Sequence, residues 1–139
     1  MEILKDIIKP LYNSCFSVDK TRDPVTIMGE LLKDDFQSIN AGETKSKAQL
    51  IGQVQYLWKL IPDLKFDIQE ILQDGKRIIV RCIVTGTPNG EFMGLNLDGS
   101  KSFRIMSIDI HTFEGEKVKA VHHLEEWTTA IKQLRGIAA

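Results

Sequence analysis

The hydrophobic period of the chain changes at Pro62, and this constrains the fold more than any other sequence feature. Before Pro62, apolar residues recur every three to four positions, the spacing of one helix face. Ile3, Leu4, Ile7, Ile8, Leu11 and Tyr12 predict a helix from Glu2 to about Ser17, kinked or divided at Pro10. Asp23-Pro24 is a helix-start signal, followed by Ile27, Met28, Leu31, Leu32 and Phe36 on one face. Ser38 to Glu43 reads as a loop. Thr44, Lys45 and Ser46 open a third helix with Leu50, Ile51, Val54, Leu57, Trp58 and Ile61 as its stripe. After Pro62 the period is two: Leu64, Phe66 and Ile68 alternate with polar residues, as in a half-buried strand. Asp74-Gly75 turns the chain into a β-branched run, Arg77 to Thr87. A loop bracketed by Pro88-Asn89-Gly90 and Leu97 to Ser100 follows. Strands are expected over Ser102 to Phe113 and Val118 to Trp127, then a short closing helix to Gly136. Helices first and strands second predict an α+β chain. The expected architecture is a curved, antiparallel four-stranded sheet packed on three N-terminal helices, enclosing a cone-shaped cavity. Residues 1–139 read as a single domain.

Composition narrows the function classes. With 18 Lys plus Arg against 19 Asp plus Glu, the net charge is −1. This is not the basic footprint of a nucleic-acid binder. No apolar run is long enough to span a bilayer, and the charged start, Met1-Glu2-Ile3-Leu4-Lys5-Asp6, has no secretory core. Cys15 and Cys82 lie in apolar stretches without CxxC spacing and read as buried free thiols. A cytoplasmic protein is expected. Gly90 and Gly99 are turn residues, and no phosphate-cradling loop or Ser or Cys nucleophile motif is present.

Chemistry concentrates on the second long hairpin. Asp109 and His111 are two apart, so they share a sheet face; His122 and His123 are adjacent, so they point to opposite faces. A tight turn at Gly115-Glu116 sets Asp109 opposite His122, whereas one bulged residue sets it opposite His123. Either places an imidazole about 5 Å from a carboxylate, Cβ to Cβ. Such a pair suits general acid–base chemistry, with the aspartate orienting the imidazole. The opposed directions of His122 and His123 argue against a zinc site, which needs about four convergent ligands. Of Glu125 and Glu126, one is expected to face in and one out. Trp58, Phe36 and Tyr56 are candidates for the pocket wall.

Several segments resemble the SnoaL-like polyketide cyclases of the nuclear transport factor 2-like (cystatin-like) superfamily. They are Asn89 to Gly94, Phe103 to His111, Lys117 to Leu134 with His122-His123-Leu124-Glu125-Glu126-Trp127, and upstream Asp34-Asp35-Phe36 and Ile61-Pro62-Asp63-Leu64. The resemblance implies a cone-shaped α+β barrel, usually oligomeric. It also implies cofactor-free ring closure by intramolecular aldol condensation, in which a pocket carboxylate removes a proton α to a carbonyl. The family's catalytic aspartate falls at His123, and its second polar group near Asp109. Leu95 to Gly99 replaces the family's proline-rich loop. The match favours the bulged pairing.

These readings together name Asp109 and His123 as catalytic candidates and His111, His122, Trp58 and Phe36 as substrate-binding candidates. No metal or cofactor is expected. The expected ligand is a small hydrophobic carbonyl compound, turned over by cyclisation, isomerisation or hydrolysis. A non-catalytic ligand-binding or dimerisation module is the alternative. Ile108 and Ile110 fall on the outer sheet face, which predicts a homodimer through the sheet.

Overall fold

The computed structural model describes residues 3–136. Helix α1 (Ile3–Leu11) contains Pro10, which has no N–H to give and crowds the preceding turn. Directly after it the helix widens into a π-helical turn, Tyr12–Phe16, closed by Ser17 N–H donating to the Tyr12 carbonyl at 3.0 Å. Helix α2 (Pro24–Leu31) starts as the sequence indicates: the Asp23 side chain accepts from Val25 N–H and Pro24 occupies the first turn. It ends earlier than the apolar spacing suggested. Leu32–Ile39 is strand β1, not helix. Leu32 and Phe36 are four apart, a separation that a helix stripe and a strand face both allow, and a register shift between Leu32 and Gln37 completes the ambiguity. Strand β2 (Thr44–Ser46) returns along β1 before Ser46 caps α3 (Lys47–Leu60) in a reciprocal box with Gln49.

Strands β3 (Lys65–Asp74), β4 (Arg77–Gly86), β7 (Phe103–Glu114) and β8 (Lys117–Glu125) form the four long antiparallel strands that the alternating pattern predicts. The sheet is larger than four strands. Its order is β2-β1-β8-β7-β4-β3, and β1 lies parallel to β8, so the sheet is mixed. The two extra strands come from the segment whose spacing imitated a helix and loop. Burial alternates without a break along β7. Its inner face carries Phe103, Ile105, Ser107, Asp109, His111 and Phe113, all buried against the helices. Its outer face carries Ile108 and Ile110, each 39% exposed, beside the exposed Leu124 of β8. Helix α4 (Trp127–Leu134) closes the chain and buries Ala130 and Leu134.

The expected loop after Pro88 is a second small sheet, β5 (Asn89–Phe92) paired with β6 (Leu95–Asp98). Met93 and Gly94 form its turn with φ of 52° and 80°, the left-handed pair of a tight hairpin. Phe92 stacks on Phe103 and meets Trp127 edge-on, which ties this hairpin to the large sheet. Where β4 ends, a Cβ on Gly86 would lie 2.6 Å from Ile61 Cγ2 and 3.1 Å from the Phe103 ring. Gly86→Ala is therefore expected to lower the unfolding free energy by about 1–3 kcal/mol in urea titration, the usual penalty of overpacking. An unchanged midpoint would show that Ile61 and Phe103 move aside freely.

Candidate functional site

The helices and the small hairpin roof the inner sheet face around a cavity of about 220 Å³. Its walls are apolar: Phe16 from the π-turn, Val54 and Trp58 from α3, Phe66, Phe92 and Trp127. Its polar groups include Asp109, His123 and Glu125, carried by β7 and β8. An apolar cavity of about 150 Å³ takes one benzene, so this one suits a ligand of one or two rings.

Register brings Asp109 and His123 together. The β7–β8 pairing shifts between Thr112 and Phe113, and beyond that bulge Asp109 lies opposite His123 and Ile110 opposite His122. Without the bulge His122 would have faced inward. His122 is instead exposed on the outer face, which corrects its assignment to substrate binding. Phe36 is corrected too: on β1 it is 2% exposed and belongs to the core, away from the cavity lining. Tyr56 is also outside, its hydroxyl donating to the Glu91 carbonyl. Trp58 does line the cavity, fixed by an indole N–H bond to the Cys15 carbonyl at 2.7 Å.

Each of the two facing groups is held by a partner that the residue spacing did not name. Glu125, not Asp109, orients the imidazole: His123 Nδ1 lies 2.8 Å from Glu125 Oε2, and Trp127 Nε1–H donates to Glu125 Oε1. The Glu125 carboxylate keeps His123 protonated to higher pH than a free imidazole, against the opposing effect of burial. Asp109 is 4% exposed, and burial pushes its carboxyl up to about 7. The Tyr12 hydroxyl pulls the other way, donating to Asp109 Oδ2 at 2.5 Å. Tyr12 comes from the π-turn and is held protonated far above its usual range, first by burial and then by the Asp109 charge.

His111 lies behind this pair and does not line the cavity. Its Nε2 is 2.6 Å from the Tyr12 oxygen, and burial drops its pKa to about 3, so it is neutral. Glu125 shares the His123 face at a spacing of two, a signal the sequence does contain. Tyr12 has only the nearby Pro10 to betray it. Burial pushes both cysteine thiols up to about 12, so neither serves as a nucleophile near neutral pH. Among the described residues no cluster of three or more His, Cys, Asp or Glu side chains is arranged to hold a metal ion.

A curved sheet closed by helices is the nuclear transport factor 2-like fold class, which includes ketosteroid isomerase-like folds. Within that class, the sequence model for SnoaL-like polyketide cyclases matches residues 9–134, and the chain belongs to this family. Similar solved structures agree on the fold. A candidate SnoaL-like polyketide cyclase from Jannaschia species CCS1 superposes with a TM-score of 0.85 at 14% identity, covering 97% of this chain and 93% of that one. IdmH, a candidate polyketide cyclase from Streptomyces antibioticus, gives 0.78 at 22% identity, with 95% and 98% covered. A hypothetical protein with a ketosteroid isomerase-like fold from Catenulispora acidiphila, solved with trimethylamine, gives 0.74 at 13%, with 96% and 94% covered. No curated protein sequence matches the chain significantly. No described helix is long and apolar enough to cross a membrane.

Proposed function

We propose that the chain catalyses proton abstraction α to a carbonyl in a small, uncharged, mostly apolar compound, the opening step of an intramolecular aldol cyclisation. The observation that carries this reading is the pairing of Asp109 with His123 across one cavity, each tethered from behind. Tyr12 occupies Asp109 Oδ2 and Glu125 occupies His123 Nδ1, which leaves Oδ1 and Nε2 for the ligand. A buried carboxylate with a pKa near 7 is a far stronger base than a solvated one. Asp109 takes the α-proton, the C–H electrons form the enolate, and the imidazolium Nε2–H of His123 hydrogen-bonds the developing oxyanion. The enolate carbon then attacks a second carbonyl of the same molecule, and the new alkoxide is protonated. A histidine stands where the family places its aspartate, so the base sits one strand over, at its cross-strand partner. These steps need no metal or organic cofactor.

The test uses α-tetralone, a neutral bicyclic ketone, in D2O. Protein-dependent deuterium incorporation beside its carbonyl, followed by proton NMR, is expected. No exchange above that of Asp109→Asn protein would sink the catalytic reading. Quenching of Trp58 and Trp127 fluorescence without exchange would mark a binding module instead.

The partner reading is a second copy of the chain. Leu72, Ile108, Ile110 and Leu124 are exposed on the outer sheet face, and a dimer through that face would cover them. Light scattering at micromolar concentration should give twice the chain mass; the mass of one chain would contradict it.

A further inference from the structure

Tyr12 and His111 are fully buried, do not reach the cavity, and yet form a chain with Asp109. Building on the reading of Asp109 as the base, we propose that they are its positioning residues. The proton order runs one way, from His111 Nε2–H to the Tyr12 oxygen and from Tyr12 O–H to Asp109 Oδ2, so that Oδ1 is the oxygen that takes the proton.

The direction follows from counting donors. Tyr12 has one hydroxyl proton and two neighbours, Asp109 Oδ2 at 2.5 Å and His111 Nε2 at 2.6 Å. A neutral imidazole carries one N–H, on either nitrogen. Among the described residues, the buried His111 Nδ1 has no hydrogen-bond partner. A proton there would be an orphaned buried donor, rarer than an unfilled lone pair. The proton therefore sits on Nε2, which then cannot accept. Tyr12 must donate to Asp109, and its oxygen accepts from His111. That second bond polarises the phenol and strengthens its donation. Oδ2 is thereby engaged, and the lone pair available to a ligand's C–H is on Oδ1. The proton stays on the cavity side, where it can be returned to the alkoxide.

The path from sequence to this chain is short. Pro10 precedes the π-turn, and the turn aims Tyr12 at the inner face of β7. His111 is two residues beyond Asp109 on the same face. The other groups that act on Asp109 or face it are the Cys82 thiol from β4 and His123 with Glu125 from β8.

The chain is tested without substrate, so its failure is separate from failure of the catalytic reading. Carbon-13 NMR of the Asp109 carboxyl gives its titration midpoint. Tyr12→Phe should move that midpoint up by about one pH unit, the worth of one hydrogen bond to a charged group. His111→Leu should move it up by less, roughly half as much, because it acts through Tyr12. Added to Tyr12→Phe, His111→Leu should change nothing further. A midpoint that stays or falls in Tyr12→Phe overturns the proposal, as does full additivity in the double variant. Nitrogen-15 spectra of the unmodified protein supply a check that no misfolded variant can spoil: His111 should carry its proton on Nε2, and a proton on Nδ1 overturns the order. If the titrations run as expected and no ketone exchanges, the positioning chain stands and the reaction assigned to Asp109 falls.

Discussion

Asp109→Asn should lower the α-proton exchange rate by roughly 10²–10⁴ and, at the same time, make the protein more stable at pH 8. The two effects have one cause. Burial raises the Asp109 pKa from 3.8 to about 7. Between those values the unfolded chain has lost its proton and the folded one has kept it, so stability falls as pH rises through this window. Above about 7 the folded protein carries the full cost of a buried carboxylate. A shift of about three units, at 1.36 kcal/mol each, bounds that cost near ~4 kcal/mol. Asparagine keeps the shape, and its carbonyl oxygen can still accept from Tyr12, so part of the bound should appear as a gain of about 1–3 kcal/mol. His111 acts in the opposite sense. Its folded pKa of about 3 lies below its unfolded 6.5, so its contribution is complete above 6.5 and is lost as pH falls toward 3. The two slopes oppose each other in the unsubstituted protein. Urea titrations of both proteins from pH 4 to 8 isolate Asp109: the difference should grow up to about pH 7 and then level off. A difference independent of pH would mean that Asp109 titrates as an ordinary carboxyl, and the base would have to be sought elsewhere.

The parts of this site that were legible in the sequence share one property: they follow from strand alternation. Asp109 and His111 had to share a face because they are two apart, and His122 and His123 had to part company. The bulge beyond Thr112 decides which histidine faces in, and residue spacing alone allowed both pairings; the resemblance of Lys117 to Leu134 to the family chose correctly. What spacing could not supply is contact between distant segments. Tyr12 reaches Asp109 across 97 positions, and nothing in the period of α1 marks a tyrosine as polar partner rather than core. Phe36 shows the opposite failure. Its position four after Leu32 fitted a helix stripe, but parallel pairing with β8 made the segment a strand. Non-local pairing overrode a local pattern that was ambiguous. Alternation required one of Glu125 and Glu126 to face in without saying which, and the role of Glu125 as the partner of His123 emerges only from the 2.8 Å contact.

The His123–Glu125 pair should account for the alkaline side of the pH profile. In the proposed reaction the rate rises as Asp109 ionises and falls as the His123 imidazolium loses its proton, giving a bell. His123→Ala removes the donor to the developing oxyanion and should lower exchange by roughly 10²–10³. Glu125→Gln leaves the imidazole in place and removes the charge that raises its pKa. The descending limb should then move to lower pH for the loss of one charge-assisted bond, while the ascending limb stays with Asp109. The bell narrows from one side only. A merely structural Glu125 would scale the whole profile without moving either limb, and that outcome would remove the carboxylate from the mechanism. Were His123→Ala to retain exchange within a few-fold of the unsubstituted protein, Asp109 would have to work without an electrophile. His123 would then be a wall residue of a cavity whose chemistry lies on β7 alone.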